Sequence, residues 1–226
     1  MDETISIVTP VFNREFYSDI LINNLKLLDD NKIKYEMIII DDASTDYTKE
    51  RVLSVIKDYQ KNVSLISNKI NLGVTSSKTI GIKKSSNSWV LLLDSDNLLN
   101  QNSLKEFRDI QYSKLSKDIA IIFLNSENKE KNGDKLINFK KFIKIYFKYE
   151  MLPMVNKNLF ISSGCFYENV RGFEGATWLK IASLGYKFLI KNINLQTYNT
   201  DQTGRLTNKM NKINNINNYI NGYRII

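Results

Sequence analysis

The sequence predicts an α/β fold, a mostly parallel sheet flanked by helices, followed by a smaller and less regular second half. Two observations carry this. Through the first half, short apolar runs of strand length alternate with amphipathic helical segments, the pattern of βαβ units. Three of those runs end abruptly in polar clusters: Thr9-Pro10-Val11-Phe12-Asn13, Asp41-Asp42-Ala43-Ser44-Thr45-Asp46 and Asp94-Ser95-Asp96-Asn97. Ligands of open parallel sheets bind at the carboxyl ends of the strands, so three such ends describe one polar crevice.

Taken in order, Thr4 to Thr9 is a short β-branched run that predicts the first strand. Phe16 to Leu28 repeats apolar residues at helical spacing, namely Phe16, Ile20, Leu21, Leu25 and Leu28. Tyr35 to Ile40 is continuously apolar and ends in Asp41-Asp42, as a strand buried on both faces would. Thr48 to Tyr59 is helical, with Val52, Val55, Ile56 and Tyr59 on one face. Val63 to Ser67 predicts a strand, Val74 to Lys84 a helix, and Trp89 to Leu93 a buried strand ending at Asp94. A helix over Ser103 to Leu115 and a strand over Ile119 to Leu124 follow. Beyond that the pattern loosens. Asn125 to Asp134 reads as a polar loop, Phe139 to Leu152 as an aromatic, basic helix, and Leu159 to Tyr167 as a strand pair around Ser162-Ser163-Gly164. Ala176 to Leu184 is helical, with strands over Tyr186 to Ile190 and Leu195 to Tyr198. No Pro/Gly/Ser linker divides the chain, so residues 1–206 read as one domain with halves at 1–110 and 111–206. Residues 207–226 form an Asn-rich tail, either an exposed helix or poorly ordered.

Composition narrows the chemistry. The 226 residues contain no histidine, which excludes Ser-His-Asp and Cys-His catalysis, His-ligated zinc and any imidazole acid or base. The single cysteine, Cys165, excludes an intrachain disulfide framework and a cysteine zinc cage, and fits a reducing compartment. Catalysis is left to carboxylates, Lys, Tyr, hydroxyls or backbone groups, with a hard metal held by oxygen. The net charge is +8, but the basic residues are dominated by Lys and accompanied by heavy Ile and Asn. That bias reads first as AT-rich coding, because nucleic-acid faces cluster charge and favour Arg. Acidic partners remain expected, either phosphate-bearing ligands or an anionic membrane surface. No apolar run is long enough to span a bilayer, and the acidic MDETISIVTP start is unlike a signal peptide.

Asp94 and Asp96 stand two residues apart on a turn leaving an apolar strand. There two carboxylates can approach one Mg2+ or Mn2+, whose other positions go to water and phosphate oxygens. The structural alternative is that Asp96 starts a turn or caps the helix near Ser103. For Asp41-Asp42-Ala43-Ser44 the alternative is an Asx-turn followed by an N-cap for the Thr48 helix. Gly73, Gly81 and Gly164 are isolated, so neither a dinucleotide fingerprint nor a Walker loop is present.

The order SIVTPVFNRE, then YEMIIIDDASTDYT, then NLGVTSSKTIGIKKSSNSWVLLLDSDNLL resembles glycosyltransferase family 2, the inverting enzymes with a Rossmann-like GT-A fold. The likeness is strong over residues 4 to about 110 and looser to about 206. It implies that residues 1–110 bind a nucleotide-sugar, with a UDP-sugar foremost, and that residues 111–206 bind the acceptor, a glycan or lipid-linked hydroxyl. It further implies that Thr9, Pro10 and Val11 line the nucleoside pocket. Asp41 and Asp42 would contact base or ribose, and Lys78 would stand in for the family's donor-binding arginine. Asp94 and Ser95 would lie along the ribose or sugar, and Asp96 with Asp94 would bind the metal. Arg205 would pair with the diphosphate. Gly73 matches an Asn-x-Gly turn opening the third helix.

The family's general base lies in a later segment, matched here by Arg171-Gly172-Phe173-Glu174-Gly175-Ala176-Thr177-Trp178-Leu179-Lys180-Ile181-Ala182. Anchoring on Trp178 to Ala182 makes Glu174 that base, whereas anchoring on Gly172-Phe173 leaves no base at all. The first alignment is preferred, because inverting transfer needs a carboxylate and Glu174 is the only one between Glu168 and Asp201. A helix-start acid favoured by the macrodipole is the bland alternative for Glu174. The Lys135 to Leu152 stretch has two readings, a helix packed on the sheet or a basic aromatic surface facing anionic lipid. The implied location is cytoplasmic, peripheral on the inner face of the membrane. Two rival classes are a nucleotidyltransferase with a similar metal site, and a non-catalytic nucleotide- or nucleic-acid-binding protein.

Overall fold

In the computed structural model, residues 3–59, 61–125, 134–146, 151–164, 166 and 174–198 are described. The first half follows the predicted alternation closely. Strand β1 (Ile5–Val11) leads to helix α1 (Tyr17–Asp30), β2 (Tyr35–Asp41) to α2 (Thr48–Ile56), and β3 (Val63–Ser67) to α3 (Val74–Lys84). Next come β4 (Trp89–Leu92), a short β5 (Asn97–Leu99), α4 (Leu104–Arg108) and β6 (Ile119–Asn125). The second half adds β7 (Lys135–Ile137), α5 (Phe139–Tyr146), β8 (Met151–Asn156), α6 (Lys157–Ser162), α7 (Gly175–Ser183), β9 (Lys187–Lys191) and β10 (Gln196–Tyr198).

Eight strands form one sheet in the order β3-β2-β1-β4-β8-β6-β9-β7, and β10 pairs with β5 in a separate two-stranded ribbon. Pairings β3-β2, β2-β1, β1-β4 and β6-β9 are parallel, while β8 and β7 run against their neighbours. One sheet therefore carries strands from both halves of the chain.

Alternation along β1 explains the two layers. Ile5, Ile7 and Val11 pack with Ile20, Leu21, Leu25 and Leu28 of α1, Val52 of α2 and Phe107 of α4. Val8 turns to the other face, with Ile82 of α3, Phe142 of α5, Phe160 of α6 and Trp178 and Ile181 of α7. Within that second layer Phe123, Phe142, Phe188 and Trp178 meet edge-to-face or stacked, Phe142 and Phe188 at 4.7 Å between centroids.

Three predicted elements are corrected. Of the expected Phe139 to Leu152 helix, Phe139–Tyr146 is helix α5, but Met151 and Leu152 belong to strand β8 (Met151–Asn156), inserted between β4 and β6. The strand pair over Leu159 to Tyr167 gives way to helix α6, whose start is capped by the Asn156 side chain accepting from Leu159 N at 3.2 Å. The Ser103 to Leu115 helix shortens to α4 with single 3-10 turns at Gln101–Ser103 and Tyr112–Lys114. Most of the expected Asn125 to Asp134 loop, and all of the Asn-rich tail, lie outside the described residues.

Candidate functional site

The sheet order places a topological switch point between β1 and β4. From β1 the chain moves outward to β2 and β3, then returns through α3 to the opposite side of β1. Crevices open beyond the carboxyl ends of strands at such points. β1 stays paired with β2 as far as Val11 and Asp41, yet pairs with β4 only as far as Val8 and Leu92. The strand ends therefore part above Val8.

The floor of this crevice is buried. Thr9, Pro10 and Val11 all lie in the buried run of β1, and Thr9 is fully inaccessible. The first accessible side chain on this path is Phe12, 44% exposed. Asn13 follows with a positive φ of 49°. Its Oδ1 accepts from Thr45 N at 2.9 Å, and its own N–H donates to Ser44 Oγ at 3.0 Å. These bonds lace the loops after β1 and β2 together.

Asp41 Oδ1 accepts from Ser44 N at 3.1 Å, three residues on, so its carboxylate braces its own loop without the two-residue Asx-turn of the alternative reading. The N–H of Thr48 donates to Asp46 Oδ1 at 3.0 Å. Asp42 is a staple. Its Oδ1 accepts from Asn68 Nδ2 at 2.7 Å and Leu72 N at 2.9 Å, and its Oδ2 from Gly73 N at 2.8 Å. Gly73 has φ 88°, which glycine adopts at little cost, so the Asn71-Leu72-Gly73 turn can present two N–H groups to one carboxylate. Asp42 is buried, and protein donors account for its side chain.

At the end of β4 the chain turns sharply, with Asn97 N donating to Asp94 O at 3.1 Å. Asp94, Ser95 and Asp96 sit half-buried on this turn. Asp96 does not cap the following turn, since Asn100 accepts from Asn102 N there. Two residues that hold the turn escaped sequence reasoning. Asn24 of α1, buried, donates to Asn97 O at 3.0 Å and accepts from Leu99 N at 2.9 Å. Gln196 of β10 accepts from Asn97 Nδ2 at 2.8 Å. An Asn within the apolar stripe Ile20, Leu21, Leu25, Leu28 was the available clue to the first.

Lys78 reaches into the same place from α3. Its Nζ lies 2.7 Å from Asp94 Oδ1 and 2.6 Å from Glu174 Oε1. Burial by itself would push its ammonium pKa down. The Asp94 and Glu174 carboxylates outweigh that and hold it above the usual lysine range, so Lys78 stays protonated. Glu174 precedes α7 as its N-cap, but its side chain makes no cap hydrogen bond; the carboxylate goes to Lys78 instead. Arg205 lies outside the described residues, as do Arg171, Gly172 and Phe173.

Asp94 and Asp96 offer the oxygen-only donor set that Mg2+ or Mn2+ prefers, and Asp94 keeps about half of its side chain exposed. Among the described residues no group of three or more acid, His or Cys side chains forms a fuller cage, so a cation here would draw its other ligands from water and phosphate. No described helix is long and apolar enough to cross a membrane.

Known proteins share this fold. TarS of Staphylococcus aureus, a poly(ribitol-phosphate) beta-N-acetylglucosaminyltransferase, is 29% identical over 129 residues, covering 54% of this chain and 21% of TarS. A Campylobacter jejuni GalNAc(5)-diNAcBac-PP-undecaprenol beta-1,3-glucosyltransferase is 25% identical over 189 residues, covering 78% of this chain and 59% of its own. Among solved structures, S. aureus TarS 1-349 in complex with UDP-GlcNAc superposes with a TM-score of 0.70 at 20% identity, over 90% of this chain and 60% of that one. The mannosyltransferase PcManGT from Pyrobaculum calidifontis, in complex with GDP-Man and Mn2+, gives 0.70 at 15% identity, over 97% and 64%. The chain thus spans 21% of TarS and 59% of the Campylobacter enzyme. The shared architecture is the GT-A glycosyltransferase fold. Residues 6–173, well over half of the sequence, match the family model for Glycosyl transferase family 2, and the chain belongs to that family.

Proposed function

We propose that this chain is an inverting glycosyltransferase that moves a sugar from a UDP-sugar to a hydroxyl of a glycan or lipid-linked acceptor. The observation that carries the reading is the meeting of Asp94 and Glu174, one from each half of the chain, at the mouth of the switch-point crevice. The UDP-GlcNAc complex of TarS supports the donor, and the undecaprenol-linked substrate in the Campylobacter enzyme's name supports the acceptor.

In this reading residues 1–110 hold the donor and 111–206 the acceptor. Thr9, Pro10 and Val11 form the floor beneath the nucleoside, with Asp41 and Asp42 fixing the loops that wall it. Ser95 lies along the sugar, and Arg205 pairs with the diphosphate. Asp94 and Asp96 would hold a Mn2+ or Mg2+, which when bound neutralises charge on the departing nucleoside diphosphate. Glu174 takes the proton of the acceptor hydroxyl as that oxygen attacks the anomeric carbon. The new C–O bond forms opposite the breaking bond to the diphosphate, so one displacement inverts the configuration. No step needs an imidazole, in keeping with a chain that has none. Exposed Lys135, Lys140 and Lys141, on and beside α5, would face an anionic membrane carrying the acceptor.

Asp96→Asn and Glu174→Gln are both expected to lower transfer from UDP-GlcNAc to a residual rate, about a hundredfold to ten-thousandfold down, while only Asp96→Asn weakens Mn2+-dependent UDP binding in a thermal-shift assay. Wild-type turnover by Glu174→Gln would remove Glu174 as the base. Flotation of the protein with phosphatidylglycerol vesicles, against neutral ones, tests the membrane contact.

A further inference from the structure

One side chain joins the donor turn to the acceptor-side carboxylate. Lys78 stands on the buried face of α3 with Thr75, Ser77, Gly81 and Ile82. Its side chain is 3% exposed, against 49% for Asp94 and 22% for Glu174. Both carboxylates therefore reach toward solvent while the cation that holds them is enclosed. The three groups come from α3, the turn after β4 and the start of α7, with Lys78 and Glu174 96 positions apart in sequence.

The arrangement constrains Glu174 more than it constrains a ligand. An ammonium buried in a packed helix face has little rotamer freedom, so it acts as a fixed point. Glu174 makes no capping bond to its own helix, and Lys78 is the partner that fixes its Oε1. Without the cation, two like charges would face one another across its place, and the partly exposed Glu174 would swing toward water. The contacts of Lys78 are with these two acids, whereas the family arginine it replaces would contact the donor.

We propose that Lys78 is a positioning residue: its ammonium holds the Glu174 carboxylate in register with the Asp94 turn, so that the base meets the acceptor hydroxyl beside the bound donor. This rests on the reading of Glu174 as the general base.

The test uses the full chain with UDP-GlcNAc and Mn2+, following UDP release. Lys78→Met keeps the length and removes the charge. It is expected to lower kcat by about tenfold to a hundredfold, the scale of a misplaced catalytic group, with the donor KM within about threefold of wild type. In a Glu174→Gln background the same change should cost less than about threefold more, since a residue acting through another loses its effect when that other is gone. A donor KM raised with kcat intact would instead make Lys78 a donor contact and overturn the proposal, as would fully multiplicative losses. Should Lys78→Met fail to fold, Lys78→Arg takes its place: retained charge should keep kcat within about tenfold of wild type, and a larger loss overturns the proposal.

A readout independent of turnover is the side-chain carboxyl signal of Glu174 in protein labelled with 13C-glutamate, identified by its loss in Glu174→Gln. It should move or broaden in the Lys78 variant, and an unmoved signal refutes the positioning role even if UDP-GlcNAc is not a donor. The two readings fail separately. A fully active Glu174→Gln removes the base, whereas an inactive Glu174→Gln beside a Lys78→Met of wild-type kcat removes only the positioning.

Discussion

Gly81→Ala is expected to destabilise this fold, against the usual sense of that change inside a helix. In an open helix interior alanine is better than glycine by about 1 kcal/mol. Here a Cβ on residue 81 would lie 2.3 Å from Val8 Cγ1, with Val8 Cγ2 at 3.0 Å and Val8 Cβ at 3.2 Å. Val8 cannot retreat. It is fully buried, belongs to a strand paired on both sides, and as a β-branched residue has little freedom at χ1. Relief means lifting α3 from β1 by about an ångström, which forfeits much of the dispersion contact along that helix. Overpacking of this kind costs about 1–3 kcal/mol, and this contact is at the severe end. Subtracting the propensity gain leaves a net loss of about 2 kcal/mol, or about 4–8 °C in Tm for a domain of this size. Urea denaturation followed by circular dichroism measures it, with the Val8→Ala and Gly81→Ala/Val8→Ala variants completing a cycle. Removing both Cγ atoms should relieve the clash, giving a favourable coupling of about 1 kcal/mol or more. A Gly81→Ala protein as stable as wild type, or an additive cycle, would refute the close approach of α3 to β1. Because Lys78 stands one turn earlier on the same buried face, the same lift should also lower kcat.

Two further changes test other parts of the frame. Asp42→Ala strands the Leu72 and Gly73 N–H groups and leaves the Asn68 amide with Ser77 Oγ, at 3.0 Å, as its remaining acceptor. It should cost about 2–4 kcal/mol and speed hydrogen exchange at Leu72 and Gly73, while Asp42→Asn recovers only part. Glu36 links the other end of the sheet. Burial would raise its pKa, but hydrogen bonds from the Ser6 hydroxyl, Ser86 and Asn87 prevail and hold it below the usual carboxylate range. A carboxyl lowered in the folded state adds stability that is present above its unfolded pKa and lost as pH falls through the folded value. Urea midpoints measured between about pH 6 and pH 3 should therefore fall less steeply in Glu36→Gln than in wild type.

Where the sequence was legible, each element satisfied one pattern. Val63–Ser67 and Val74–Lys84 end where their apolar runs and turn residues say they should. Strand β8 was illegible because its apolar residues continue the helical spacing of α5 and include Pro153, which argues against a strand. The three-residue strands β5 and β7 are too short to show a period. At the site, strand-end acids advertised a crevice but not their partners. Asp42 meets donors 26 to 31 residues away, and Glu174 meets Lys78 across 96. Local patterns cannot carry such pairings. The structure also divides the acids by what occupies their oxygens. Those of Asp41 and Asp42 bind backbone and amide donors of the frame, while Asp94 and Glu174 share an ammonium and keep part of their surface open.

The two prolines of the chain explain why the donor turn leaves the sheet at Asp94. Leu93 N donates to Val8 O at 3.0 Å, so the polar backbone groups of Val8, and by alternation those of residue 10, turn toward β4. The next donor in that ladder would be the N–H of residue 10, and Pro10 has none. On the opposite side Lys157 N donates to Ser88 O at 2.8 Å, so the nitrogens of residues 155 and 153 also turn toward β4. The pairing of β4 with β8 reaches Leu91 and Met154; the next rung would need an N–H from Pro153. Both neighbours of β4 thus lack a donor at the same height. The carbonyls of Leu92 and Leu93 have no ladder donor from Pro153 or Pro10, the pairing of β4 ends there on both flanks, and the chain turns, with Asn97 N closing on Asp94 O. The half-buried carboxylates of Asp94 and Asp96 emerge at this break. Their place at the crevice follows from two missing N–H groups as much as from the acids themselves.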